Sequence, residues 1–168
     1  MTASTDDDVR IRPVHDGETA EAERLLTTFF VEEGFPLPPE GLDVRLRRYV
    51  TLPHHVALVA VTGRATVGVA TVTANFGLEY GWAAELEDLY VLPSHRGRGL
   101  ARGLVQAAGE WARSEGCTAM LVTVTPEGQE AHHLMEFYRN LGFSDHGRRL
   151  LELPLRSDLW ATESTGED

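Results

Sequence analysis

The chain has 168 residues, of which 42% are hydrophobic and 24% charged; that fits one globular domain able to bury its own core and excludes extended disorder over most of the length. The basic side chains are all arginine, 15 against 26 acids for a net charge of -11, so a P-loop lysine and a Schiff-base lysine are excluded, as is a general nucleic-acid surface. Cys117 is the only cysteine, the start runs into Asp6-Asp7-Asp8, and apolar runs are short; no internal disulfide, export signal or membrane segment is expected, and a cytoplasmic protein is.

Residues 1–8 read as an acidic arm. Residues 9–14 alternate as a strand, and Asp16 can cap a helix over 18–33 that Gly34 ends. Pro36, Pro38 and Pro39 connect it to a second amphipathic helix over 42–49. An almost continuously apolar strand over 55–61 and a Val- and Thr-rich strand over 65–74 flank the turn Gly63-Arg64. A turn over 75–81 leads into a further strand over 83–92, where hairpins give way to strand-helix-strand. Leu100, Leu104, Ala108, Trp111 and Ala112 repeat at helical spacing up to Gly116, and residues 118–124 read as a strand. Leu134, Tyr138 and Leu141 mark another helix closed by Gly142; strands are expected from Phe143 onward and over 149–153, and residues 157–168 read as an acidic tail. The order predicts an α/β (α+β mixed) class, a single domain over 9–156 with a mixed sheet and helices on both faces.

The stretch from Leu89 to Gly103 carries the chemistry. It sets a strand, a glycine-rich loop and a helix start in succession, and the free N–H groups of a helix N-terminus seat a pyrophosphate. Arg96, Arg98 and Arg102 stand there with no acid among them, a cationic island in an acidic chain. A glycine-rich turn with exposed arginines accounts for any one of these residues, though less well for the whole arrangement. The spacing of Gly97, Gly99 and Gly103 departs from the dinucleotide fingerprint, and Thr123 and Thr125 stand where that fold wants an acid.

The stretch resembles motif A of the GNAT superfamily of acetyl-CoA-dependent N-acetyltransferases, with Arg96, Gly99 and Ala101 in the signature places. Leu89-Tyr90-Val91-Leu92-Pro93 is similar to the strand entering that loop, and Phe137-Tyr138-Arg139-Asn140-Leu141-Gly142-Phe143 to the family's second signature. The resemblance spans about residues 9–155. It implies a twisted, mostly antiparallel sheet of six to seven strands, with a central pair splayed to admit pantetheine. It also implies acetyl-CoA as cosubstrate, with main-chain groups of Leu89 and Val91 on pantetheine. Amides of Gly97, Arg98, Gly99, Leu100 and Ala101, with Arg96 nearby, would hold the pyrophosphate, and Arg98 and Arg102 the outer phosphate.

Acetyl transfer to an amine needs a neutral amine, donors for the oxyanion and a proton for the thiolate. By resemblance Tyr138 supplies the proton, although Leu134, Tyr138 and Leu141 also read as an ordinary apolar stripe. Glu85 and Glu87 alternate onto one side of the strand with Leu89 and Val91, and Asp88 faces away with Tyr90 unless a bulge intervenes. Glu87 is the first candidate for the amine, as a base through water or as a cation holder; a structural strand glutamate reads equally well. The Val91 N–H would be the oxyanion donor by resemblance. Glu32 and Glu33 end the first helix, where unpaired acids oppose the dipole, and are candidates with Glu85 for the acceptor, although a plain solvated helix end is the more ordinary reading. His54-His55 and His132-His133 lack metal-ligand spacing, so no metal is expected. Gln129-Glu130-Ala131-His132 occupies the place where the family often has an asparagine. The expected function is transfer of acetyl to a small cationic amine (polyamine, aminoglycoside or amino-acid-like), with an acyl-CoA sensor or a protein N-acetyltransferase as alternatives. No nucleic-acid or membrane partner is expected, and a homodimer is left open.

Overall fold

The computed structural model describes residues 9–38 and 40–155; the arm, Pro39, residue 156 and the tail expected over 157–168 lie outside them. Five strands form one sheet in the order β1-β2-β3-β4-β5: β1 (Val9–Pro13), β2 (His55–Thr62), β3 (Ala65–Gly77), β4 (Gly81–Val91) and β5 (Ala119–Val122). The first four are successively antiparallel, and β5 joins β4 in parallel. That switch requires a crossover, supplied by α3 (Leu100–Ser114).

Each face of the sheet has its own core. On one, Leu58, Val67, Val72, Leu86 and Val91 meet Leu100, Leu104 and Ala108 of α3. On the other, Val59, Val69 and Tyr90 meet Leu25 and Leu26 of α1 (Ala20–Glu33) and Leu46 of α2 (Leu42–Tyr49). Strands β2 and β3 lie between the two layers, which is why they read as continuous apolar runs. Gly34 ends α1 as expected, but Thr19 rather than Asp16 is its N-cap, without a side-chain hydrogen bond.

Two expectations are corrected. The sheet has five strands among the described residues, not six or seven: residues 143–155 form none, and Leu150, Leu151, Leu153 and Leu155 are exposed. Two adjacent leucines break the alternation and Pro154 removes a ladder donor, so the segment lacks a continuous strand pattern. The region after β5 holds two short helices rather than one, α4 (Pro126–His132) and α5 (Leu134–Arg139), broken at His133 with φ 51°. Thr125 caps α4 by accepting from the Gly128 N–H at 3.1 Å. A threonine before Pro126, a proline at the first helical position, was the readable signal.

Candidate active site

Strand β4 carries the site, and a bulge decides what faces where. Its register to β3 runs Thr71↔Asp88 and then Val72↔Leu86, leaving Glu87 as the residue in excess. Leu86, Leu89 and Val91 pack on the α3 side and Tyr90 on the α1/α2 side. Glu87 and Asp88 both join Tyr90. The Tyr49 hydroxyl of α2 donates to Glu87 Oε2 at 2.9 Å, Thr73 Oγ1 donates to Glu87 Oε1 at 3.2 Å, and Thr71 Oγ1 donates to Asp88 Oδ2 at 2.6 Å. Glu87 therefore does not share a face with Leu89 and Val91, as plain alternation had it, because one inserted residue shifts the phase of the strand.

Desolvation raises the Glu87 carboxyl above the usual carboxylate range, against the bonds from Tyr49 and Thr73 that pull it down. Asp88 is raised likewise by burial, with the Thr71 bond opposing. Burial, then the charge of Glu87, pushes the Tyr49 phenol well above its ordinary value, so it serves as a fixed donor.

The pairing of β4 with β5 ends at Leu86↔Val122, while β4 runs on to Val91. The Leu92 N–H donates to Val67 O at 2.9 Å, which makes that pair hydrogen-bonded. Because bonded and non-bonded pairs alternate, the main-chain groups of Leu89 and Val91 point away from β3 into the opening beyond β5. This is the splayed pair expected from the resemblance; the Leu89 main chain and the Val91 N–H are suited to an amide-bearing chain such as pantetheine, whereas the Val91 carbonyl already accepts from Arg96 Nε.

The slot runs toward the loop before α3. Gly97 and Gly99 hold φ of 76° and 79°, which only glycine adopts without strain, and a Cβ on either would meet no protein atom within 4 Å. No side chain caps α3, so the amides of Leu100, Ala101 and Arg102 in its first turn have no partner within the helix. Arg98 and Arg102 are exposed beside them. These groups fit the pyrophosphate and outer phosphate of acetyl-CoA. Arg96 is engaged differently: its Nε donates to Val91 O at 2.9 Å and a terminal nitrogen lies 3.6 Å from Glu32.

A cavity of about 480 Å³ joins the slot to the α1/α2 side, lined by Glu33, Glu87, Asp88, Arg96, His132 and Tyr138 with aromatic walls from Phe29, Phe35 and Phe137. Glu33 pairs with His132 of α4 at 3.1 Å, so a bridge from α1 to α4 lies along the cavity. Burial between Phe137 and Phe143 pushes the Tyr138 phenol up to about 12. Two expected acceptor residues stand apart from the lining: Glu32, occupied by Tyr90 and Arg96, and Glu85. Sequence reasoning did not assign Tyr49, Thr71, Thr73 or Asp88 to the site. Among the described residues no cluster of three or more His, Cys, Asp or Glu is placed to hold a metal ion, and no helix is long and apolar enough to cross a membrane.

A splayed parallel pair, a glycine loop on a helix N-terminus and one cavity serving both define the architecture of the acyl-CoA-dependent N-acetyltransferases. The chain belongs to the acetyltransferase (GNAT) family, which it matches over residues 20–143. It is similar to glucosamine 6-phosphate N-acetyltransferase 1 of Oryza sativa subsp. japonica, 34% identical over 113 residues, which are 64% of this chain and 65% of the rice protein. The chain thus matches just under two thirds of that relative's length. It is also similar to aminoglycoside N(6')-acetyltransferase type 1 of Acinetobacter baumannii, 31% identical over 119 residues, 66% of this chain and 79% of that one. In fold it is similar to a solved aminoglycoside N-acetyltransferase in complex with CoA, with a TM-score of 0.74 and 20% identity over 87% of this chain and 94% of that one.

Proposed function

We propose that the protein transfers an acetyl group from acetyl-CoA to a primary amine of a small cationic acceptor, both substrates being bound at once. The observation that carries this reading is the charge of the cavity next to the open edge of β4. Glu33, Glu87 and Asp88 line it against Arg96, which is itself paired with Glu32. Such a lining attracts an ammonium group and repels a phosphate. The reading therefore favours an acceptor like that named for the aminoglycoside enzyme over the phosphorylated sugar named for the rice enzyme.

In this scheme the amine nitrogen bonds to the acetyl carbonyl carbon, the carbon–sulfur bond breaks, and the amine loses a proton while the sulfur gains one. An alkylammonium ion, with a pKa near ~10, must first be made neutral. Glu87 and Asp88 are the acids placed to hold it and to take its proton, directly or through water, and their raised pKa values bring them closer to that task. The main-chain N–H of Val91 faces the slot as a donor for the oxyanion. Tyr138, which stays protonated through the neutral range, is the donor for the departing sulfur.

The test is to incubate the protein with acetyl-CoA and a panel of aminoglycosides, linear polyamines, glucosamine 6-phosphate and a lysine peptide while following thiol release. Release with the cationic amines and not with the phosphosugar is the expected result. Saturable coenzyme binding without release on any acceptor would replace the enzyme by an acyl-CoA sensor, and release on the peptide alone would move the acceptor to protein.

A further inference from the structure

Arg96 opens the signature of the phosphate loop, yet its side chain is committed elsewhere. Its Nε donates to Val91 O at 2.9 Å, its guanidinium lies 5.6 Å from the centre of the Tyr90 ring, and a terminal nitrogen is 3.6 Å from Glu32 Oε2. The Tyr90 hydroxyl donates to the other oxygen of Glu32 at 2.9 Å. Glu32 from α1, Tyr90 from β4 and Arg96 from the loop thus close a ring around the end of β4.

The ring acts on one peptide group. Leu92 N–H and Val91 C=O belong to the same planar unit, the first bonded to Val67 O and the second to Arg96. The preceding peptide has its carbonyl in the β3 ladder through the Tyr90↔Val69 pair, and the Tyr90 side chain is tied down by Glu32. The Val91 N–H belongs to that same Tyr90–Val91 peptide, so with its own carbonyl in the ladder and the next peptide clamped by Arg96 it has a fixed direction into the slot. A donor aimed in advance loses nothing to reorientation when charge develops on the carbonyl oxygen.

We propose that Arg96 is a positioning residue that acts through Glu32 and Tyr90 to aim the Val91 N–H at the acyl carbonyl, and not a ligand of the pyrophosphate. The proposal rests on the acetyltransferase reading above. It also gives Glu32 a task at the end of α1: to hold the arginine rather than the acceptor.

The experiment compares the wild type with Arg96→Gln, Arg96→Lys and Glu32→Gln, using acetyl-CoA and S-acetylpantetheine, which lacks the pyrophosphate. Arg96→Gln is expected to lower kcat by about 10- to 100-fold with both donors and by the same factor, with KM for acetyl-CoA little changed. Arg96→Lys keeps the charge without the fork and should not restore the rate. Glu32→Gln should show part of the loss and add little on top of Arg96→Gln, since the two act as a unit. A loss confined to acetyl-CoA, a pure rise in KM, or rescue by lysine would overturn the proposal and return Arg96 to the phosphates. Should Arg96→Gln not fold, Glu32→Gln with the two donors decides alone: equal kcat loss with both supports the ring, and unchanged kcat overturns it. If the wild type acetylates no amine, the acetyltransferase reading fails separately. The ring is then tested by calorimetric titration with coenzyme A, where unchanged affinity in Arg96→Gln supports it and a tenfold loss overturns it.

Discussion

Tyr49 on α2 donates its hydroxyl hydrogen to Glu87 at the bulge of β4, 2.9 Å away and 38 residues along the chain. That bond is one of two pulling the carboxyl down against desolvation. Tyr49→Phe removes it, so the Glu87 pKa rises further. If Glu87 takes the amine proton, the acid limb of the kcat/KM profile moves to higher pH in the variant, because more of the group is protonated at any given pH. An acid limb that stays in place would assign the titration to another residue.

The Tyr138 phenol is nearly buried and its pKa pushed up to about 12 by desolvation, so its proton is available over the whole working range. Tyr138→Phe is expected to lower kcat by about 100-fold, the scale of a lost general acid, while calorimetric affinity for acetyl-CoA stays the same. Unchanged turnover would leave Tyr138 as core between Phe137 and Phe143.

Arg98 stands exposed between Gly97 and Gly99, beside the free amides of α3. If it meets the outer phosphate, Arg98→Glu weakens coenzyme A by about tenfold, the order of one lost charged hydrogen bond, and dephospho-coenzyme A much less. Equal losses on both ligands would place the arginine elsewhere.

The parts of the fold legible in the chain were those with a local signature. The α3 stripe of Leu100, Leu104 and Ala108 and the glycines before it identified both helix and loop, and the loop pointed to the proposed coenzyme side of the site. The bulge was not legible, since one extra residue changes no composition and Glu87 reads like any strand glutamate until Thr71 is known to pair with Asp88 and Val72 with Leu86. The proposed acceptor side depended on it. Tyr49 and Thr73 reach Glu87 only through tertiary packing, so no spacing along the chain announces them. Seven-residue α4 is too short for its periodicity to register, although Thr125-Pro126 marked its start. The expected last strands failed for the converse reason: local leucines suggested them, but a strand also needs a ladder partner, and residues 143–155 have none among the described residues.

Asp88 offers a test in which stability and activity part company. Burial raises its pKa above the ordinary value, so the folded state holds the proton more tightly than the unfolded chain does. The group's favourable contribution is complete below the unfolded value near ~3.9 and is lost as pH rises through the folded value. Ionised Asp88 is therefore a net cost at neutral pH, about 1.4 kcal/mol for each pKa unit of elevation. Asp88→Asn removes the charge and keeps an oxygen to accept from Thr71. Its Tm should exceed that of the wild type at pH ~7 to 8, by roughly 2 to 4 °C per kcal/mol for a chain of this size. The gap should shrink toward pH ~4, where the wild-type carboxyl also carries a proton. An equal difference at both pH values would mean that Asp88 titrates as it does in the unfolded chain. If the same carboxylate holds the cationic acceptor, the more stable variant is also the poorer enzyme, with a raised acceptor KM. A site that keeps an unfavourable charge in the folded protein is then one that the incoming ammonium group neutralises.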